Sequence, residues 1–182
     1  MRIIGLAGSL RRASYNAGLL RAARGVAPDG VEIEIGSIAG IPLYDGDLEA
    51  AEGLPAAVVA LKDAIASADG LLLVTPEYNN GVPGVFKNAI DWLSRPASDI
   101  PRVFGGKPVG LIGASPGGFG TILSQNAWLP ILRTLGTELW SGRKLLVSGA
   151  GKAFHADGEL VDETVREQLG KYLAGFAASI RA

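Results

Sequence analysis

Cysteine is absent from this chain of 182 residues, and histidine occurs once, as His155. Without thiols there is no disulfide framework, no thiolate zinc or iron–sulfur site and no cysteine nucleophile. One histidine excludes a histidine-rich metal site and leaves a Ser-His-Asp hydrolase a single candidate base. His155 itself falls in Phe154-His155-Ala156-Asp157-Gly158, read as a solvated surface turn. No metal ligand is assigned. Charge is scarce and balanced, with 17 Lys and Arg against 18 Asp and Glu and a net charge of -1. That is no footprint for nucleic acid. Long apolar runs are also missing: the longest, such as Gly70 to Val74, are strand-sized, against the ~20 residues that span a bilayer. Arg11-Arg12 follow the first apolar run, the wrong order for a signal peptide. The expectation is a cytoplasmic protein with no membrane or nucleic-acid partner.

Glycine is what the chain has in excess, 26 residues of 182, about twice usual frequency. These glycines follow no Gly-X-Y period and punctuate apolar runs, as tight turns between buried elements require. With 48% hydrophobic residues, the chain reads as one globular domain over residues 1–182, with no repeat, linker or boundary.

Strand and helix patterns alternate. Arg2–Gly8 is a short β-branched run ending in glycine. Ser14–Val26 is helical, with Leu19, Leu20 and Ala23 on one face and Pro28-Asp29-Gly30 as a stop. Val31–Ile38 alternates apolar and polar, as a half-exposed edge strand does. Pro55–Ala68 is a helix with Val58, Leu61 and Ile65 inward. Gly70–Pro76 is continuously apolar, the pattern of a central parallel strand. Pro83–Leu93 is a helix with Val82, Val85, Phe86, Ala89, Ile90 and Leu93 in one stripe. Pro108–Ser115 is a fourth strand. Thr121–Leu135 is a helix with a potential break at Pro130. Leu139–Ser148 is a fifth strand, and Val161–Ile180 a last helix. Five such β/α units predict an α/β three-layer sandwich on a five-stranded parallel sheet. The order 2-1-3-4-5, flavodoxin-like, puts the alternating second strand at an edge.

In such a sheet ligands bind beyond the carboxyl ends of the strands, where the order reverses. Three loops meet there. In Gly8–Asn16, Ser9, Ser14 and Asn16 offer hydrogen bonds, Arg11 or Arg12 offers charge, and a helix begins. This is a phosphate cradle or, more plainly, a Ser-capped helix with two solvated arginines. Gly5 and Gly8 have the wrong spacing for a dinucleotide fingerprint, and no acidic residue closes the second strand. In Thr75–Gly84, Pro76, Glu77, Tyr78, Asn79, Asn80 and Gly81 form either a grip for a flat heteroaromatic ring or an ordinary turn. In Ala114–Thr121, Gly117, Gly118 and Gly120 let backbone approach a ligand.

GSLRRASYN, PEYNNGVPGVFKNAIDWLSRP and GASPGGFGT, in this order at these strand ends, resemble the NADPH-dependent FMN reductase family, which includes flavodoxin-like quinone, chromate and azo-dye reductases. The resemblance implies FMN as cofactor, NAD(P)H as co-substrate, quinones or similar small molecules as electron acceptors, and a homodimer or homotetramer. It places Ser9, Arg11, Ser14, Tyr15 and Asn16 at the FMN phosphate. Pro76, Glu77, Tyr78 and Asn79 would hold the isoalloxazine ring, with Asn80 and Gly81 extending that loop. Ser115, Gly117, Gly118 and Gly120 would lie at the ring's other edge. Many members carry an Arg-x-Gln pair after the glycine loop, where this chain reads Thr121-Ile122-Leu123-Ser124-Gln125. The implied cycle is ping-pong, with no side chain assigned as catalytic acid or base. Glu77 is a candidate proton donor, ring contact or subunit contact. Trp92, off the helix stripe, is expected to be partly exposed and to anchor the oligomer. A flavodoxin-type electron carrier and a non-enzymatic flavin-binding module are the other readings the residues allow.

Overall fold

The computed structural model describes residues 1–181. In chain order the elements are β1 (Arg2–Ala7), α1 (Tyr15–Gly25), β2 (Glu32–Gly36), α2 (Gly46–Glu52), α3 (Ala56–Ala66), β3 (Gly70–Val74), α4 (Gly84–Leu93), α5 (Ile100–Val103), β4 (Pro108–Ala114), α6 (Ile122–Thr134), β5 (Glu138–Leu139), β6 (Leu145–Val147), α7 (Ala150–Ala153) and α8 (Glu163–Arg181). Strands pair in parallel in the order β2-β1-β3-β4-β5, with β6 also on β4. The expected flavodoxin-like order is therefore present.

The strand period of two divides the core. Leu71 and Leu73 of β3 point to one face with Ile4, Leu6 and Val109, under Val58, Ile65, Phe86, Ile90 and Trp128 from α3, α4 and α6. Leu72 and Val74 point to the other with Ile3, Ile33 and Ile112, under Leu19 and Leu20 of α1 and Leu169, Tyr172 and Phe176 of α8. A strand buried on both faces must be apolar at every position, hence the unbroken Gly70–Val74 run.

The fifth strand departs from expectation. The run Leu139–Ser148 is split: Glu138 and Leu139 pair with Pro108 and Val109, and Leu145 to Val147 pair with Ile112 to Ala114. Residues 140–144 bulge out between them. Trp140 turns inward, edge-on to Tyr172 at 4.8 Å. The Tyr172 hydroxyl fills the gap: it accepts the Leu111 N–H at 2.7 Å and donates to the Leu111 carbonyl at 3.3 Å. Burial pushes the Tyr172 pKa up, so it remains a neutral donor. A bulge carrying Arg143 and Lys144 also suits an exposed sheet edge, because it interrupts the template for strand addition.

α6 runs unbroken through Pro130. Pro130 and Asn126 are exposed, so the carbonyl that loses its helical partner faces water. Trp92 corrects a further expectation. It is 0% exposed; its Nε1 donates to the Pro42 carbonyl at 2.9 Å, and Tyr44 meets its ring edge-on at 5.0 Å. Asn88, one turn earlier, donates to the same carbonyl at 2.8 Å and accepts the Tyr44 N–H at 2.8 Å. The loop after β2 is thus strapped to α4 and covers the indole. Lys62, fully buried on α3, pairs with Asp99 at 2.7 Å and donates to the Arg95 carbonyl.

Candidate functional site

A cavity of about 310 Å³ opens at the carboxyl ends of β1, β3 and β4, lined by Ser9, Arg11, Ser14, Tyr15, Asn16, Pro76, Glu77, Tyr78, Ala114, Ser115 and Pro116. The three loops singled out by sequence therefore converge. Ala114 and Pro116 were not expected; they flank Ser115, and the strand-to-proline break of Ala114-Ser115-Pro116 was the available signal. Asn79, Asn80, Gly81, Gly117, Gly118 and Gly120 lie outside the lining and shape the loops that carry it.

The first loop presents donors. Ser14 caps α1 by accepting the Ala17 N–H at 3.2 Å. Ser9 Oγ accepts the Arg11 N–H at 3.3 Å and the Tyr78 hydroxyl at 3.2 Å. A serine hydroxyl has one donor and two acceptor positions. With its lone pairs engaged, Ser9 has only its proton left to give. The N–H groups of Tyr15 and Asn16 open α1 without helical acceptors. Arg11 stacks over the Tyr15 ring at 4.8 Å, and among the described residues no carboxylate pairs with it. Arg12 is exposed on the neighbouring turn.

Asn16 does something else. Its side chain is buried, its Nδ2 donates to the Ala114 carbonyl at 2.8 Å, and its Oδ1 accepts the Ala114 N–H at 2.9 Å. It ties α1 to the end of β4.

The second loop is a tight hairpin turn. Tyr78 and Gly81 exchange backbone hydrogen bonds of 3.2 and 3.0 Å, and Asn79 and Asn80 sit at φ 49° and 62°. Two consecutive positive φ angles make a type I′ turn, which Asn tolerates better than most residues. The turn fixes Tyr78 at the mouth of the cavity. Glu77 reaches the opposite way: its Oε2 accepts the Leu123 and Ser124 N–H groups of α6 at 2.9 and 3.0 Å. Below it, Thr75 Oγ1 meets Ser124 Oγ and accepts from Trp128 Nε1, both at 3.0 Å.

In the third loop the Ser115 hydroxyl donates to the Gly120 carbonyl. Gly120 has φ 61°, and a Cβ there would lie 2.9 Å from the Leu146 backbone, so only glycine fits. Gly118 is different: nothing stands within 4 Å of its Cβ position, so packing does not require glycine there. Gln125 donates to Thr121 Oγ1 at 3.0 Å and to the Leu145 carbonyl at 3.2 Å, away from the cavity. His155 is exposed in the turn after α7.

Three side chains thus join the loops pairwise: Tyr78 to the first, Glu77 to the start of α6, and Asn16 to the end of β4. The cavity walls are held before any ligand arrives.

A model of the NADPH-dependent FMN reductase family matches residues 1–151. An NAD(P)H-dependent FMN reductase of Pseudomonas aeruginosa is 41% identical over 181 residues, spanning 100% of this chain and 96% of that protein. A 2-hydroxy-1,4-benzoquinone reductase of a Burkholderia species is 38% identical over 181 residues, spanning 100% and 97%. Among solved structures, the flavoenzyme NAD(P)H:(acceptor) oxidoreductase FerB of Paracoccus denitrificans superposes with a TM-score of 0.86 at 34% identity, covering 99% of this chain and 97% of that one.

Proposed function

The chain belongs to the NADPH-dependent FMN reductase family, and from that membership we propose how its residues hold the flavin. It is an FMN-dependent NAD(P)H oxidoreductase that acts on quinones. When bound, FMN would supply the redox chemistry between NAD(P)H and the acceptor. Residues 1–182 act as one FMN-binding domain.

The observation that carries the site assignment is the set of unspent donors in one cavity. Two serine protons, two helix-opening amides and an unpaired arginine match the oxygens of a terminal phosphate. One such cradle fits FMN; a second one, for an adenosine half, is not among the lining residues. Pro76, Glu77 and Tyr78 on the loop after β3, with Ser115 and Pro116 on the loop after β4, line the remaining space and take the flat ring. Asn79, Asn80 and Gly81 hold Tyr78 in place, and Gly117, Gly118 and Gly120 let the opposite backbone come close. Asn16 contributes by fixing the frame. The electron-carrier reading is not favoured, because an NAD(P)H-dependent FMN reductase and an NAD(P)H:(acceptor) oxidoreductase stand among the relatives.

With no dinucleotide fingerprint, nicotinamide and quinone share the one open face in turn. The purified protein is expected to be yellow and to release FMN on denaturation. Initial rates with NAD(P)H and a quinone should give parallel lines, with NAD(P)+ competing against the quinone. FAD in the extract would overturn the cradle; intersecting lines would overturn the shared face.

A homo-oligomer remains part of this reading, although Trp92 is not its anchor. Support comes from Leu43 at 81% and Phe119 at 75% exposure, with Val85 and Leu123 also exposed; Leu43 and Phe119 lie on loops, and Val85 and Leu123 in the first turns of α4 and α6. Sedimentation at micromolar concentration should show a dimer or tetramer, and a monomer would sink the proposal. Among the described residues no helix is long and apolar enough to cross a membrane. A cytoplasmic setting, where NAD(P)H is regenerated, is the corresponding proposal, and cell fractionation tests it.

A further inference from the structure

We infer that Glu77 is a positioning residue, whose side chain sets the spacing between the β3 loop and the start of α6 and moves no proton in turnover. The clamp is a property of the fold; its consequence for flavin binding rests on the reading of the cavity given above.

α6 has no N-terminal cap of its own. Its N-cap residue, Thr121, makes no side-chain hydrogen bond to the helix amides, and its first turn holds no acidic residue. Thr121 Oγ1 instead accepts from Gln125 Nε2 at 3.0 Å. Exposed helix-opening amides normally find an acceptor. Here the acceptor is Glu77 Oε2, which takes the N–H groups of the second and third helical residues, Leu123 and Ser124. The donor and acceptor are 46 and 47 residues apart. A carboxylate also complements the positive end of the helix.

The position of this tie gives it a role in the site. Glu77 lies between Pro76 and Tyr78, which line one wall of the cavity, while Ser115 and Pro116 line the other. The loop from Ser115 to Thr121 ends where α6 begins. Glu77 therefore anchors the far end of the second wall to the first. Thr75 reinforces the tie from below through Ser124. Because Oε2 is committed to two amides, the carboxylate is aimed at α6 and works as a spacer.

Two substitutions separate length from proton. Glu77→Gln keeps the reach and a carbonyl oxygen able to accept both amides, but has no carboxyl proton. Glu77→Asp keeps an ionisable carboxyl group and falls one methylene short. Hydrogen exchange at Leu123 and Ser124, measured on flavin-free protein, reads the clamp directly; FMN affinity and the pH profile of kcat read its consequence. Glu77→Asp is expected to speed exchange at both amides and to raise the FMN Kd, each by about tenfold, with Glu77→Gln within about threefold of wild type and keeping the shape of the pH profile. Protection and turnover retained in Glu77→Asp but lost in Glu77→Gln would overturn the inference in favour of proton transfer. Equal behaviour of the two variants, both intact or both impaired, would overturn it as well. A wild-type protein that binds no FMN would instead sink the functional reading, and the exchange comparison would still decide the clamp.

Discussion

Arg11→Ala is expected to weaken FMN binding by about 1.5–3 kcal/mol, roughly 10- to 150-fold in Kd. Hydrogen bonds to a charged group fall in that range, and Arg11 offers a rigid fork of donors that matches phosphate oxygens. Its guanidinium already rests on the Tyr15 ring at 4.8 Å, so little side-chain freedom is lost on binding. Among the described residues no carboxylate competes for it. Fluorescence titration of flavin-free protein measures the effect. Arg11→Lys should fall between wild type and Arg11→Ala, because it keeps the charge and loses the fork. Arg12→Ala is the control: Arg12 is exposed and does not line the cavity. If Arg12→Ala costs more than Arg11→Ala, the phosphate lies elsewhere.

Asn16→Ala is expected to lower stability by about 2–4 kcal/mol, a drop of roughly 5–15 °C in Tm for a domain of this size. The substitution removes both partners of Ala114 at once and strands a buried N–H and a buried C=O. Those groups lie at the end of β4, so the loop carrying Ser115 loses its tie to α1 and FMN binding weakens with it. Asn16→Asp should not rescue. It still accepts the Ala114 N–H at one oxygen but sets the other against the Ala114 carbonyl. Thermal unfolding of the flavin-free variants checks this, and a loss below about 1 kcal/mol would show that water replaces the side chain.

The same residue shows how far local sequence reaches. Asn16 was legible as a polar side chain at a loop-to-helix start, which suggested a ligand contact. Its partner, Ala114, is 98 positions away and leaves no mark in the local pattern. Glu77 behaves alike: its spacing within PEYN placed it at the site, but the uncapped helix it serves is a separate segment. Trp92 sits off the apolar stripe of α4, and from helical geometry alone its ring should meet solvent. Pro42 and Tyr44 cover it because Asn88 and Trp92 supply donors that hold their loop. The Leu139–Ser148 run was apolar enough for one strand, yet Tyr172, packed from α8, satisfies the backbone where the strand breaks.

Sequence alone determined the alternation of strands and helices, the parallel sheet with its edge at β2, the three loops that meet at the candidate site, and the family. These depend on short-range properties: a period of two or 3.6, a run buried on both faces, a capping serine, and asparagines suited to a positive-φ turn. Tertiary structure decided which polar side chains keep free donors at the cavity and which are consumed by the protein's own backbone. That choice depends on which unsatisfied amide or carbonyl comes within hydrogen-bonding distance once the chain has folded, and segments far apart in sequence acquire those distances only by packing together.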